Sequence, residues 1–567
     1  MAPVPFQHPV KFAPLAKTGT HIALIVYLTY AVTASLYTSY RNLRPAQDTR
    51  SRQAKRKRLV PIFVGLAIAA LSLATYSSIA TAILSYRTWA YEHGLDQPQR
   101  FLSEDGIITD SKNSSQQYIA QWLSDTPLVY DALEIVVEKS RRFWWGQQID
   151  LATVSFSMLL AIEGRRRKIP LTPAFLALAH LVNLSYAQNL FYLALLLTPA
   201  PLPTGDELEL PIVPFPTSRW IRVRDWLMPP KPDDWHPYPF IFLSTLVLNY
   251  GYLFLLPYAA NTSSFANVVL ATRAVTFLPL ILPKIAPVNG GTVHSHPHDA
   301  YSSYKTLFRI ISVASILLHL KATIVGLIST TPNAHYHRHS VFLPWDVESR
   351  TKWERGTTAL VKLLGSISEH PAVAGVGWDV LLSAFSLGLW AAVRAPDAHD
   401  ILASVVPFYS PHSHWSTDQP TTADPSIPHR ARKPDPGPGP EAIVEDPSTS
   451  SEHSMTLRRR ARPAKTPAAA ARGASVASSM SATTTSEDHV TATPGRKRGR
   501  PRKTAKQPEE ERAYEPPPRV EAREGEEADV VPEDLDWETA ALVWGLVTLG
   551  GLGVAGAGVV GAECVAR

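Results

Sequence analysis

The stretch AGVGWDVLLSAFSLGLWAAVR, residues 374–394, decides how this chain is read. Its length matches the ~20 apolar residues that a helix needs to cross a hydrocarbon core of about 30 Å. One carboxylate, Asp379, stands inside it. An ionised acid at such depth costs several kcal/mol unless it faces a cavity or a partner, so an intramembrane acid is a candidate for function by default.

Similar apolar runs lie outward from it, near 21–40, 59–85, 149–163, 171–198, 239–258, 265–286, 306–328 and 538–562. The run 149–163 is short, and 265–286 carries Arg273 and Pro279. The expected fold class is all-α, a polytopic transmembrane helix bundle of 8–9 spans with a long disordered segment before the last one. The expected domains are a bundle over 1–394, a tether over 395–536 and a C-terminal transmembrane helix over 537–567. No short apolar region with a small-residue cleavage site precedes Gly19, so the first span reads as an uncleaved signal anchor of an integral membrane protein of the endoplasmic reticulum.

Loop charge orients the bundle. Arg41, Arg44, Arg50, Arg52, Lys55, Arg56, Lys57 and Arg58 fill the first loop, and Arg165-Arg166-Arg167-Lys168 follows the third run. Both loops read as cytoplasmic. The span count then makes 86–148, 200–238, the N-terminus and 395–536 lumenal, and Asn113-Ser114-Ser115 offers a glycosylation acceptor that tests the first of these.

The chain has 567 residues and one cysteine, Cys564, which excludes an intramolecular disulfide, a cysteine-based zinc site and an iron–sulfur cluster. The ending Cys564-Val565-Ala566-Arg567 has prenylation spacing with an atypical last residue. Segment 395–536 is rich in Pro, Ser, Thr, Ala and charge, and buries too little apolar surface to offset the entropy of ordering. Seven glycines in 538–562 allow close helix approach. Within the tether, GRKRGRPRK (495–503) resembles an AT-hook, in which Arg498, Arg500 and Arg502 would enter a narrow minor groove. A plain solvated basic run or a lipid-headgroup contact accounts for the same residues.

Two histidine triplets, His294/His296/His298 and His335/His337/His339, have chelating spacing, but the run 306–328 between them puts them on opposite faces. No metal and no cofactor is expected. The polar inventory inside the runs is full: Asn183, Tyr186, Gln188 and Asn189 in one, Asn249, Tyr250 and Tyr252 in another, Asn267 and Arg273 in a third. Singly these are interhelical hydrogen bonds; together they suggest a polar, aromatic pocket. Acids at or near a boundary are Asp150, Glu163, Asp346, Glu348, Glu354, Glu369 and Asp379, of which Glu163 is expected to pair with the arginines that follow it.

FWWGQQ (143–148), LLAIEGRRR (159–167), YAQNLFYLAL (186–195), and LGSISEHP (364–371) with GWDVLLS (377–383) together resemble fungal membrane-bound terpene cyclases of the ascofuranone-pathway type, over about 140–395 and again over 537–562. The resemblance implies a membrane enzyme that opens a terminal epoxide on a prenyl chain and closes a ring. Asp233-Asp234-Trp235 and Asp534-Leu535-Asp536 fall short of the soluble cyclases' acidic motifs, which leaves proton-initiated cyclisation. On that analogy Asp379 or Glu369 donates the proton, while Tyr186, Gln188, Asn189, Tyr250, Tyr252 and Trp378 line the substrate, the aromatic faces steadying developing cation. The implied partners are a lipophilic prenylated small molecule and the bilayer. The alternative is a non-enzymatic membrane tether whose basic tail binds DNA or anionic lipid. A transporter is disfavoured because no internal repeat is visible.

Overall fold

The computed structural model describes residues 11–42, 50–95, 118–198, 231–232, 235–293, 303–337, 347–394, 396–409 and 535–565. These fold almost wholly as helices. In chain order they are α1 (Phe12–Asn42), α2 (Arg50–Glu92), α3 (Ile119–Asp125), α4 (Leu128–Glu138), α5 (Ser140–Arg166), α6 (Thr172–Leu181) and α7 (Leu184–Leu197). Strand β1 (Trp235–Pro237), α8 (Pro239–Ala259), α9 (Phe265–Val275), α10 (Leu278–Ile285), β2 (Gly291–Val293) and α11 (Tyr304–Thr330) follow. The order closes with β3 (His335–His337), β4 (Val347–Ser349), α12 (Lys352–Gly365), α13 (Pro371–Arg394), α14 (Ala398–Val405), α15 (Trp537–Gly550) and α16 (Leu552–Val565). The strands form two antiparallel pairs, β1 with β2 and β3 with β4, each three residues long.

Among the described residues five helices, α1, α2, α8, α11 and α13, are long and apolar enough to cross a membrane, and α9 with α10 is apolar enough only when the two are taken together, across a bend of 55°. The architecture is that of an all-α membrane protein. α5 is as long as α11, at 27 residues. Its polar side chains, Gln147, Gln148, Thr153, Ser155, Ser157 and Glu163, are buried against protein, so it forms the bundle's axis.

Two of the apolar runs do not run through. In 171–198 the helix breaks at Val182-Asn183, where Asn183 is extended (φ −167°, ψ 164°). The start of α6 abuts the end of α5, since a Cβ on Gly164 would meet the Thr172 side chain at 2.2 Å. The end of α7 returns to the same place, where Arg167 donates to the Leu195 and Thr198 carbonyls at 3.2 and 3.1 Å. The pair α6–α7 is therefore a hairpin whose tip lies deep in the bundle.

The expected single C-terminal helix over 537–567 is likewise two helices. Gly551, with φ +80°, breaks it in a conformation that an L side chain rarely adopts. At one end, Asp536 N–H donates to the Ala392 carbonyl at 3.1 Å. At the other, Glu563 meets Arg394 at 2.6 Å. Both ends thus sit at the C-terminal end of α13, and the tip lies against His319, midway along α11. Composition could not reveal this, because two half-helices and one span have the same apolar content. The segment belongs to the same compact unit as residues 11–409.

α16 lies at the bundle centre. Positions 553, 556, 558 and 561 press on Leu151, Ser155, Val405 and Ser404, where any Cβ would come within 2.6 to 3.3 Å. Glycine there lets α5 and α14 close on α16. One end of the bundle gathers the ends of α5, α7, α13 and α16 and the start of α2, whose Phe63 packs edge-on to Tyr192 and Trp390 at 5.8 Å each. Arg41, Lys57 and residues 165–168 also lie there, and this end is termed the arginine face.

Candidate functional site

Asp379 sits on α13, and its carboxylate is directed at the tip of the first hairpin. Oδ2 accepts from Leu184 N–H at 3.0 Å and Oδ1 from Ser185 N–H at 2.7 Å. These are the first two residues of α7, whose amides have no partner within the helix. Asn183 completes the cap from within the chain, Oδ1 accepting from Tyr186 N–H at 3.0 Å and Nδ2 donating to the Ala70 carbonyl at 3.1 Å. A helix begun inside a membrane exposes its positive end where no water can meet it, and a carboxylate there answers both the unmet donors and the helix dipole. The sequence names the acid; its partners lie 195 and 194 residues away in the chain.

Three of the expected lining residues are part of this neighbourhood or beside it. Tyr186 hydroxyl reaches Thr29 Oγ1 of α1 at 3.5 Å. Gln188 Nε2 donates to the Tyr192 hydroxyl at 2.6 Å, and the Tyr192 ring stacks on Trp390 at 4.4 Å with 3° between planes. Asn189 Nδ2 donates to the Ser185 carbonyl and to Ser386 Oγ, at 2.8 and 2.9 Å. Tyr250 is placed elsewhere, on α8, donating to the Ile311 carbonyl at 3.0 Å and sharing a 2.8 Å bond with Ser315. Tyr252 is half-buried on the same helix.

Trp378 differs from the expected lining role. It is 48% exposed, on the outer side of α13 with Leu381 and Phe385, because a one-residue step on a helix turns the side chain by about 100° from Asp379. Glu369 also lies apart, ten residues before Asp379 and so about 15 Å lower along the axis. Arg141 and Arg142 clamp it, with Nε to carboxylate distances of 2.5 and 2.9 Å. Partial burial pulls the Glu369 carboxyl upward, but the hydrogen bonds and charges of the two arginines outweigh it and hold it below the ordinary 4.5. Asp379 is thus engaged by two amides and Glu369 by two guanidinium groups.

The space between these residues is small. A cavity of about 20 Å³ lies beside Gln188, Tyr192, Leu184, Ser155 and Leu387, room for one water. A second, of about 30 Å³, lies at the arginine face between Arg165, Trp235 and Tyr304. The Ser185 and Ser383 hydroxyls face the Asp379 carboxylate, while on α7 and α5 Asn189 Oδ1 and Gln148 Nε2 are buried without a hydrogen-bond partner. Such atoms cost about 1–3 kcal/mol each when left unmet, so they mark places where a polar guest is favoured.

The strongest electrostatic feature was only half legible. Glu163 pairs with Arg166 and Arg167 at 3.1 and 3.0 Å, as expected from the sequence. Arg167 also reaches Glu563 at 3.6 Å, and Arg394 grips Glu563 with both Nε and Nη2. Glu163, Arg167, Glu563 and Arg394 are at most 2% exposed. Arg394 and Arg167 close the C-terminal ends of α13 and α5, where the helix dipoles favour cations. The only sequence signal for Glu563 was a lone acid near the end of a glycine-rich apolar run.

The histidine triplet at 294–298, His339, and Arg498, Arg500 and Arg502 of the AT-hook-like segment lie outside the described residues. Among the described residues no group of three or more metal-ligating side chains is found. No protein-family model, curated protein or solved structure matches this chain.

Proposed function

We propose that this chain is a multi-pass membrane enzyme of the proton-initiated terpene cyclase kind, taking a prenylated, epoxidised lipophile from the bilayer. The observation that carries this reading is the pair of half-helix tips, at Asn183 and Gly551, buried deep in the bundle beside unmet polar atoms. Broken helices are tolerated at membrane depth only where protein or a cavity receives their ends, and in membrane proteins that handle a bound molecule they gather at its site. A plain anchor has no use for them. The resemblance of residues 143–195 and 364–383 to membrane terpene cyclases supplies the reaction class.

On this reading Asp379 is a positioning residue that holds the α7 tip. A cavity of about 20 Å³ is far below the ~300 Å³ of a drug-sized site, so substrate entry requires helices to part. Movement at the Gly551 tip is the natural route, since α15 and α16 are each only 14 residues long. The test is incubation of membranes bearing the full chain with prenylated epoxides. Ring-closed product supports the reading; unchanged epoxide across chain lengths sinks it.

The same contacts support a topology in which α1, α2, α8, the bent α9–α10 pair, α11 and α13 cross together with the buried α5, while α6–α7 and α15–α16 enter and return at the arginine face. Both roots of segment 410–534 then lie on that face, since Tyr409 is held by Arg309 at 2.7 Å and Asp536 by Ala392 at 3.1 Å. On this reading the positive-inside rule makes that side cytoplasmic, in place of the lumenal side expected for 200–238 and 395–536. That favours a second reading, in which the basic run 495–503 engages anionic lipid or nucleic acid as part of a tether. Endoplasmic reticulum residence belongs to the first reading.

A further inference from the structure

Gln188 and Tyr192 stand four residues apart on α7 and so share one face of that helix. This face meets Ser155 of α5 and Gly556 of α16 around the cavity of about 20 Å³. Gly556 makes the room. A Cβ there would come within 3.3 Å of the Ser155 Cβ and 3.5 Å of its Oγ, and among the described residues no other helix reaches within 4 Å of that position. The volume admits one oxygen-sized atom.

The polar groups around this space are only partly spent. Gln188 Nε2 donates to Tyr192 Oη at 2.6 Å, which occupies an acceptor position of the phenol and leaves its proton to give. Neither that proton nor Gln188 Oε1 meets a partner among the described residues. Ser155 Oγ has only a long approach, 3.5 Å, to the Gly553 carbonyl. All three side chains are buried, so no bulk water meets them, and each unspent group favours a guest that completes it. The Tyr192 ring is fixed, stacked on Trp390 at 4.4 Å and met edge-on by Phe63 at 5.8 Å. The other walls are apolar, chiefly Phe156, Leu159, Leu387 and Val560, and no charged side chain borders the space. A charged head would find no counter-ion on them. One donor and one acceptor thus converge on room for a single atom, which matches an oxygen that both accepts and donates.

We infer that the Gln188–Tyr192 cavity is the seat of a single neutral hydroxyl carried by a lipophilic ligand. The hydroxyl oxygen accepts from Tyr192 Oη–H, its proton is donated to Gln188 Oε1, and Ser155 Oγ flanks it. An ether or ketone oxygen accepts from Tyr192 but leaves Gln188 Oε1 unmet, so the pair sets specificity for an alcohol. This deepens the cyclase reading and rests on it for the movement of α15–α16 that lets the ligand's carbon chain follow the apolar walls.

The test uses the full chain in lipid nanodiscs with a diazirine-bearing long-chain alcohol, and the matching unlabelled alcohol, its methyl ether and the alkane as competitors. The probe should label the wild type saturably, with cross-links mapped by mass spectrometry to the segments of α5, α7 and α16 around the cavity. The methyl ether should compete at least about tenfold less well than the alcohol, and the alkane not measurably. This series needs no variant and so stands whether or not a variant folds. Tyr192→Phe and Gln188→Met, which delete the polar atoms at nearly constant volume, should each weaken labelling about tenfold or more. Gly556→Ala keeps every polar group and fills the space; it should abolish saturable labelling while eluting as the wild type on size-exclusion. Lys362→Gln, on an exposed side of α12, should leave labelling unchanged. Equal competition by alcohol and ether, cross-links mapped elsewhere, or equal labelling of wild type and Gly556→Ala overturns the assignment. Turnover of prenylated epoxides without alcohol labelling at the cavity defeats this site and leaves the cyclase reading standing; labelling there without turnover does the reverse.

Discussion

Replacing Asp379 separates its two roles. Asp379→Ala leaves the Leu184 and Ser185 amides unmet at the tip of α6–α7. Each unmet buried donor costs about 1–3 kcal/mol, so the loss is roughly 2–6 kcal/mol. Asp379→Asn keeps one carbonyl oxygen as acceptor and turns the other position into a donor facing an N–H, so it retains one bond and costs about half as much. The assay is thermal unfolding of the full chain in detergent, followed by tryptophan fluorescence, with hydrogen exchange at residues 184 and 185. Stability should fall in the order wild type, Asn, Ala, with exchange at those amides rising in step. If the Asn variant unfolds and exchanges as the wild type does while turnover of prenylated epoxides vanishes, the positioning account is wrong and the acid is catalytic.

Glu563→Gln should destabilise by about 3–5 kcal/mol, because it leaves Arg394 and Arg167 buried with too little counter-charge; unfolding of the same preparation measures it. Gly551→Ala should cost about 1–3 kcal/mol, since φ is +80° and a Cβ would meet the His319 ring at 2.7 Å. The Glu369 clamp should respond to acid. Its folded carboxyl titrates below 4.5, so its contribution is present above the unfolded value and is lost as pH falls below about 4.5 through the folded one. A stability titration of Glu369→Gln against wild type should therefore show a gap near neutral pH that closes in that window. Asn113 should carry glycan when the chain is made in a glycosylating cell, read as a mobility shift removed by Asn113→Gln.

The apolar runs and their helical character were readable because each burial stripe is a matter of local composition. The depth of Asp379 was readable for the same reason. What each run does in the third dimension was not. Residues 171–198 and 538–562 are as apolar as true spans, and only the local cues at Asn183 and Gly550-Gly551 hint that the chain turns back. The run 149–163 looked short because polar residues of α5 interrupt it, whereas burial against neighbouring helices lets the helix extend over Ser140–Arg166. Pairings such as Asp379 with Leu184, or Glu563 with Arg394, span 195 and 169 residues, and nothing in either local sequence specifies the partner. Trp378 shows the limit of motif reading: adjacent to the acid in sequence, it is turned about 100° away from it around the helix.

The account turns most directly on whether the last apolar segment returns to the side it came from. Protease protection of intact microsomes, with one epitope inserted near residue 450 and another after residue 567, reads both ends of that segment at once. Both epitopes should be cleaved from outside, on the same side as the 41–58 loop. Protection of one epitope and cleavage of the other would mean a through-going helix, and the two-hairpin architecture would be wrong.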